Sequence, residues 1–389
     1  MSEPVHFYEI VPLSLRCHGE ELCGDEVKYC RLPDRTIVVL SDGLGCGIRA
    51  AILARLTTEI IVTMLRAGAP LREVIETVAG TLPISPEHGL AYSTFIILQI
   101  RNQDGCFQLS AFDSPPPVFL SDQRVQRLQS RREVVAGKAL ILSEGVLRPG
   151  DFLGLMSDGV LYANRGVTRD AAWGWDEVAA FLGKAAVSGP GSAEFLVRAV
   201  MRETQRRYGQ RVGDDATFVG VLARKPRRLM VFTGPPADRK RDEACVHRLL
   251  GFEGRRVVCG GTTAGIVAEY SGEVLRTDTS TTREGIPPIG ILPDVDLVTE
   301  GIVTMARTLE LLQASGGDPE RLPVDRNGAV LLARELLQAD SVFFLAGESV
   351  NPYYQNPQLP RSVSIRRSLV MQLVEALKSF QKVATVEWT

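Results

Sequence analysis

"LSDGLGCGIRAA" (residues 40–51) and "LMSDGVLYANRG" (residues 155–166) each end an apolar run in Ser-Asp-Gly. A carboxylate at the end of a buried strand is costly to desolvate unless something neutralises it, so its repetition asks for a reason. "TIVVL" (36–40) reads as a buried strand leading into the first motif, and a helix follows from about Ile48 to Leu65, its apolar residues at helical spacing. "RAGAP" (66–70) stops that helix with Gly then Pro. The second motif closes a strand, "DFLGLMSD" (151–158), that starts from the turn signal Pro149-Gly150.

Two further acidic points lie outward from these: Asp25 in "CGDEV" (23–27) and Asp214-Asp215 in "VGDDATF" (212–218). Carboxylate and carbonyl oxygens suit Mg²⁺ or Mn²⁺, and the lack of a His/Cys cluster argues against zinc. Gly43 leaves room for its own carbonyl to act as a ligand beside the Asp42 side chain. Any one of these motifs alone reads as a turn pair or a helix N-cap. Four in order, two of them closing long apolar strands, favour a metal centre.

"YSTFIILQI" (92–100) and "CFQLSAFD" (106–113), joined by "RNQDG", read as antiparallel strands, and "VFLSDQRVQRL" (118–128) extends the β pattern. "DEVAAFLGKAA" (176–186) and "AEFLVRAVMRETQRRYG" (193–209) read as helices before a closing strand, "DATFVGVLAR" (215–224).

The blocks "GDEV", "VVLSDGLGCGIRAA", "FQLSAFDSPPPVFL", "LRPGDFLGLMSDGV" and "GDDATFVGVL" resemble the metal-dependent type-2C (PPM) protein phosphatases, nearest to the bacterial SpoIIE/RsbX branch, over about residues 10–224. The resemblance implies two packed antiparallel sheets flanked by helices, with two Mn²⁺ or Mg²⁺ ions at one end. It implies Asp42 as the bridging ligand, Gly43 as a carbonyl ligand, Asp158 and Asp214 as direct ligands, and Asp25 as a ligand directly or through water. Asp42, Asp158 and Asp214 are then catalytic through a metal-activated water, Asp215 supports Asp214, and the two Ser-Asp-Gly carboxylates are expected at adjacent strand ends. Cys46 stands where relatives carry His or Asn; it reads as a packed thiol, with a redox sensor as the sharper alternative. Arg16 and Lys28 are the candidates for holding phosphate, and His18 reads as a packed or surface residue. The helix after Asp42 packs the core, and the resemblance adds a regulatory role as its alternative.

A short basic stretch with Pro226, "ARKPRRL", sets a boundary near residue 225 and divides the chain into 1–225 and 226–389. Beyond it strands such as "RLMVFTG" (228–234), "RRVVCGG" (255–261) and "SVFFLAG" (341–347) alternate with helices, which argues a mainly parallel, Rossmann-like α/β domain. This part resembles no named family. Its strand ends carry "FTGPP", "CGGTTAG", "TEG" and "AGES", and a ligand pocket there would use Gly260, Gly261, Thr262 and Glu300. Ordinary turn chemistry explains the same residues equally well.

Composition bounds the rest. The 389 residues suit two domains, and 44 basic against 46 acidic residues exclude a general polyanion binder, so nucleic acid is not an expected partner. No leader pattern or bilayer-length apolar run is read, which gives the expectation of a cytoplasmic protein with no membrane association. Seven cysteines without a tight Cys-x-x-Cys pair read as free thiols. The resulting expectation is an α/β protein serine/threonine phosphatase acting in signal transduction and stress response on phosphorylated STAS-domain, anti-sigma-antagonist or stressosome proteins, with a homodimer left open. The alternative is a sensor whose phosphatase module is weak and whose C-terminal domain binds a ligand.

Overall fold

The computed structural model of the chain describes residues 6–81, 93–164, 173–189, 191–283, 285–349 and 365–389. It divides into two units, Met1–Lys225 and Pro226–Thr389. The first unit opens with β1 (Phe7–Leu15), β2 (Asp25–Arg31), β3 (Arg35–Gly43), α1 (Ile48–Arg66) and α2 (Leu71–Thr81). β4 (Ser93–Arg101), β5 (Cys106–Phe112), β6 (Val118–Ser121), β7 (Arg124–Gln126), β8 (Ser130–Val135) and β9 (Lys138–Val146) follow. β10 (Phe152–Met156), α3 (Asp158–Leu161), α4 (Trp175–Ser188), α5 (Ala193–Tyr208) and β11 (Ala216–Arg224) complete it.

Among the described residues these strands form two antiparallel sheets, ordered β1-β11-β10-β6-β7 and β2-β3-β4-β5-β9-β8. Strand periodicity assigns the side chains. Val38 and Leu40 of β3 meet Leu153, Leu155, Val219 and Val221 of the other sheet in one core. Ile37 and Val39, on the opposite face of β3, pack with Ile61, Leu65, Val74 and Val78 of α1 and α2. Phe152, Met156 and Phe218 face Val178, Leu182, Val197 and Val200 of α4 and α5. Both sheets are therefore covered twice, which is why "IVVL" and "FLGLM" are continuously apolar instead of alternating.

Three elements differ from the sequence expectation. "VFLSDQRVQRL" is β-structure as its pattern predicts, but it lies in the other sheet and folds back as the β6-β7 hairpin, its turn made by Asp122 and Gln123, both at positive φ. β3 runs two residues past its motif's serine, so Asp42 is still paired within the sheet, opposite Asp25 and Thr94. β1 was not legible because its outer residues alternate with polar ones, yet it pairs along its whole length with β11.

The second unit contains β12 (Arg228–Thr233), α6 (Asp242–Leu250), β13 (Arg255–Cys259), α7 (Gly261–Ser271), β14 (Arg276–Asp278), β15 (Ile289–Ile291) and β16 (Leu297–Thr299). It ends with α8 (Ile302–Ser315), α9 (Gly328–Gln338), β17 (Ser341–Ala346), α10 (Ile365–Ser379) and β18 (Val383–Trp388). The sheet order is β14-β15-β16-β13-β12-β17-β18; the five strands from β16 to β18 are parallel, and β14 and β15 add an antiparallel edge. Met305, Leu336 and Leu373 of α8, α9 and α10 cover one face. Val246 and Val267 of α6 and α7 cover the other. Among the described residues, no helix is long and apolar enough to cross a membrane.

Candidate metal centre

Alternation along the strands determines what collects at one end of the sandwich. Val38 and Leu40 face the other sheet, so Asp42, two residues on, shares that face, and Asp25 lies directly opposite it across the strand pair. On the facing sheet Val219 and Val221 put Thr217 and Asp215 on the same side. Asp158 opens α3 immediately after β10, and Asp214 lies in the turn before β11. The two Ser-Asp-Gly carboxylates thus do not sit on adjacent strands. β3 and β10 belong to different sheets, and their carboxylates converge because the sheets pack face to face.

The serines of the two motifs do different work. Ser157 Oγ donates to Asp25 Oδ2 (2.7 Å) and accepts the Thr217 N–H (2.8 Å), tying the two sheets together at the acidic end. Ser41 Oγ donates to the Thr94 carbonyl (2.8 Å), while Ser93 Oγ donates to the Asp42 carbonyl (3.0 Å). The Tyr208 hydroxyl donates to the Gly159 carbonyl (2.7 Å) and so fixes the turn that carries Asp158. Ser157, Thr217, Ser93 and Tyr208 were not singled out by sequence reasoning; only the serine of the Ser-Asp-Gly repeat and the threonine of "DDAT" carried a signal.

The glycines after the two aspartates are required by close approach. A Cβ on Gly43 would lie 2.1 Å from the Ala50 carbonyl oxygen, and one on Gly159 would lie 2.0 Å from the Asp215 carbonyl oxygen. Each Asp-Gly therefore lets a neighbouring backbone press against the carboxylate's own strand end, binding the start of α1 and the Asp214-Asp215 turn to the site.

Carboxyl groups crowd together here, and burial and mutual repulsion shift them toward the protonated form. Burial, with repulsion from Asp25, Asp158 and Asp214, pushes the Asp42 carboxyl up to about 9. Burial, opposed by hydrogen bonds from Thr217 and Ser157 and reinforced by repulsion from Asp215 and Asp214, pushes Asp25 up to about 7. Burial is also the first cause that raises Asp158, though a hydrogen bond from Asp42 opposes it, and Asp214, which Asp158 repels. Asp25 Oδ1 and Asp215 Oδ2 are buried without a hydrogen-bond partner. Two orphaned carboxylate oxygens among five clustered carboxylates fit a hard divalent cation, since like charges facing one another across a strand pair destabilise it.

Cys46 Sγ donates to Asp214 Oδ1 (3.6 Å), and with Asp214 and Asp215 it forms a group whose ligand atoms lie within 4.8 Å of one another. Burial, then the neighbouring Cys17 and Asp214, raises the Cys46 thiol far above its ordinary range, so it stays protonated. Asp215 Oδ1 accepts the Cys17 N–H (2.9 Å), and Asp214 Oδ1 accepts the Asp215 N–H (2.9 Å). Of the cations considered for phosphate, Arg16 Nη1 donates to the Glu21 carbonyl (2.7 Å) and Lys28 pairs with Glu59 on α1. His18 is exposed.

In the second unit, Gly260 precedes α7 and its N–H donates to the Thr299 carbonyl (2.9 Å), with Gly261 and Thr262 exposed in the first turn. Glu300 Oε2 accepts the Val303 (3.1 Å) and Thr304 (3.3 Å) N–H groups, capping α8. A Cβ on Gly301 would meet the Gly260 Cα at 3.5 Å, so these two loops are neighbours.

A double-covered β-sandwich with a carboxylate cluster at one end, on this order of motifs, is the arrangement expected of a PPM-type domain. Residues 33–224 match the family model described as Stage II sporulation protein E (SpoIIE), so the first unit carries a SpoIIE-type domain. The chain is similar to the phosphatase domain of the cell fate determinant SpoIIE from Bacillus subtilis at 19% identity, covering 58% of this chain and 95% of that one, with a TM-score of 0.44. It is also similar to the RsbU and RsbW domains of a Mycobacterium tuberculosis protein (20% identity, 64% and 68% covered, TM-score 0.49). A structure of RsbX in complex with magnesium shares 16% identity over 57% of this chain and 98% of that chain, with a TM-score of 0.42. No curated protein matches the chain.

Proposed function

We propose that the first unit hydrolyses phosphoserine or phosphothreonine on bacterial signalling proteins of the STAS-domain, anti-sigma-antagonist or stressosome type, in the cytoplasm. The observation that supports a metal-dependent reaction is the convergence of Asp25, Asp42, Asp158 and Asp214 with two orphaned buried carboxylate oxygens. Those four side chains and the Gly43 carbonyl would hold two Mn²⁺ or Mg²⁺ ions, which supply a water nucleophile at neutral pH and charge neutralisation for the phosphoryl oxygens. Ser157 holds Asp25 in place, Tyr208 holds the Asp158 turn, and Ser93 anchors the Asp42 backbone. Asp215 orients its neighbours by accepting the Cys17 N–H. Activity on a phosphoserine-bearing STAS-domain protein should vanish in EDTA and return with Mn²⁺ or Mg²⁺; turnover that survives EDTA would sink this chemistry.

The second unit is proposed as a regulatory module. Its support is the neighbouring Gly260-Gly261-Thr262 and Glu300 loops at the carboxyl edge of a parallel sheet, the edge where such sheets take ligands. Residues 1–225 expressed alone should then show kinetics on the phosphoprotein different from those of the full chain. Unchanged kinetics would remove the regulatory role.

A further inference from the structure

We infer that the outward ridge of α1 is the docking surface for the phosphoprotein, and that it selects a phosphoserine set beside an apolar patch ringed by carboxylates. The inference rests on the reading of the first unit as a protein phosphatase. The inward side of α1 is buried through Ala50, Ala54, Thr57, Ile61 and Leu65. On its outward side Ile48, Ile52 and Leu56 are 54%, 60% and 41% exposed, and Leu44, in the bend before the helix, is 49% exposed. Single exposed apolar residues are ordinary on a surface, but Ile48, Ile52 and Leu56 at one-turn spacing make a continuous strip of about 12 Å along the helix, with Leu44 in the bend just before it.

The strip has a polarity along the helix. Past Leu56 the exposed positions are Glu59, Thr63 and Arg66, so the apolar part is confined to the half of α1 that adjoins the carboxylates. That half is bound to the centre: the Ala50 backbone meets Gly43, and Cys46 at the head of the helix reaches Asp214. A protein whose phosphoserine enters beside Asp42 therefore covers the first turns of α1.

Charge then chooses the occupant. Arg49 and Arg55 are exposed beside the strip, and neither guanidinium has a hydrogen-bond or ion-pair partner among the described residues. A second copy docking through the same strip would set Arg49 and Arg55 against their own duplicates, because a twofold contact joins identical surfaces. A partner bearing carboxylates around an apolar patch satisfies both features.

The test uses the full chain and two phosphoserine peptides of equal length, one flanked by leucine and glutamate, the other by alanine and lysine at the same places. The first should be turned over with kcat/KM about tenfold higher, a preference set by differential binding at the strip. In the double variant Ile52→Ser, Leu56→Ser the preference should disappear, and in Arg55→Gln it should fall, while p-nitrophenyl phosphate turnover is retained in both. Equal turnover of the two peptides by the wild type, or a preference that survives the double variant, would overturn the docking surface. A parallel loss of p-nitrophenyl phosphate turnover in the double variant would overturn it too, by showing that the strip acts through the metal centre. Conversion of a dimer to a monomer in sedimentation, with the peptide preference intact, would assign the strip to a second copy. A wild type that, with Mn²⁺, turns over neither peptide nor p-nitrophenyl phosphate would overturn the phosphatase reading itself.

Discussion

Asp42→Asn is expected to lower turnover of a phosphoserine protein by on the order of a thousandfold in the presence of Mn²⁺, about 4 kcal/mol of transition-state stabilisation. The domain should fold as before. Asp42 lies at the meeting point of the cluster, opposite Asp25 in the strand register and within hydrogen-bonding reach of Asp158. Asparagine keeps the shape and the backbone pairing but removes the charge, so the site loses a ligand while the repulsion that raises Asp25 and Asp214 is eased. Asp214→Asn should act in the same direction, because Asp214 brings its carboxylate from the opposite sheet. The paired measurement is kcat/KM with Mn²⁺ together with the urea midpoint in EDTA. A soluble Asp42→Asn protein with near wild-type turnover would remove Asp42 from the centre, and a collapse in stability without metal would mean that its charge is structural.

The acidic cluster was legible because its residues are local signals: each aspartate adjoins a glycine or a strand end, and the order of four such points along the chain is informative. Which sheet each belonged to was not legible. The sequence around Asp42 and around Asp158 looks alike, yet the first stays within the ladder to Gly43 and the second leaves it to open a helix. That difference depends on Asp25 and Thr94 pairing with Asp42 from distant segments, which no local pattern reports. The supporting groups were hidden for a similar reason. Tyr208 ends a helix of mixed polarity, and only the packing of α5 brings its hydroxyl to Gly159. The outward strip of α1 was visible as letters, but "AAILARLTTEIIVTML" is apolar on more than one side, and burial alone separates the packed ridge from the exposed one.

The same carboxylates make the metal-free protein sensitive to alkali, and the sign follows from the direction of their shifts. Asp25 at about 7 and Asp42 at about 9 in the folded state both lie above the ordinary value of 3.8 that the unfolded chain adopts. Between those limits the folded state holds more protons than the unfolded one, so stability is fully present near pH 4 and is lost progressively as the pH rises toward 9. Asp42 is only half-buried, and solvent screens part of its repulsion from the other carboxylates. Two pKa units correspond to about 3 kcal/mol, which for a domain of this size is a fall in Tm of roughly 10 °C. Melting in EDTA should therefore show the first unit's transition dropping between pH 5 and pH 9. Saturating Mn²⁺ should flatten that slope, since binding only the folded state supplies stability that grows as the ligating carboxylates deprotonate. Asp42→Asn should flatten it without metal, because the most strongly shifted carboxylate is gone. A Tm in EDTA that is level or rising from pH 5 to pH 9 would mean that the carboxylates do not crowd one another as the fold places them.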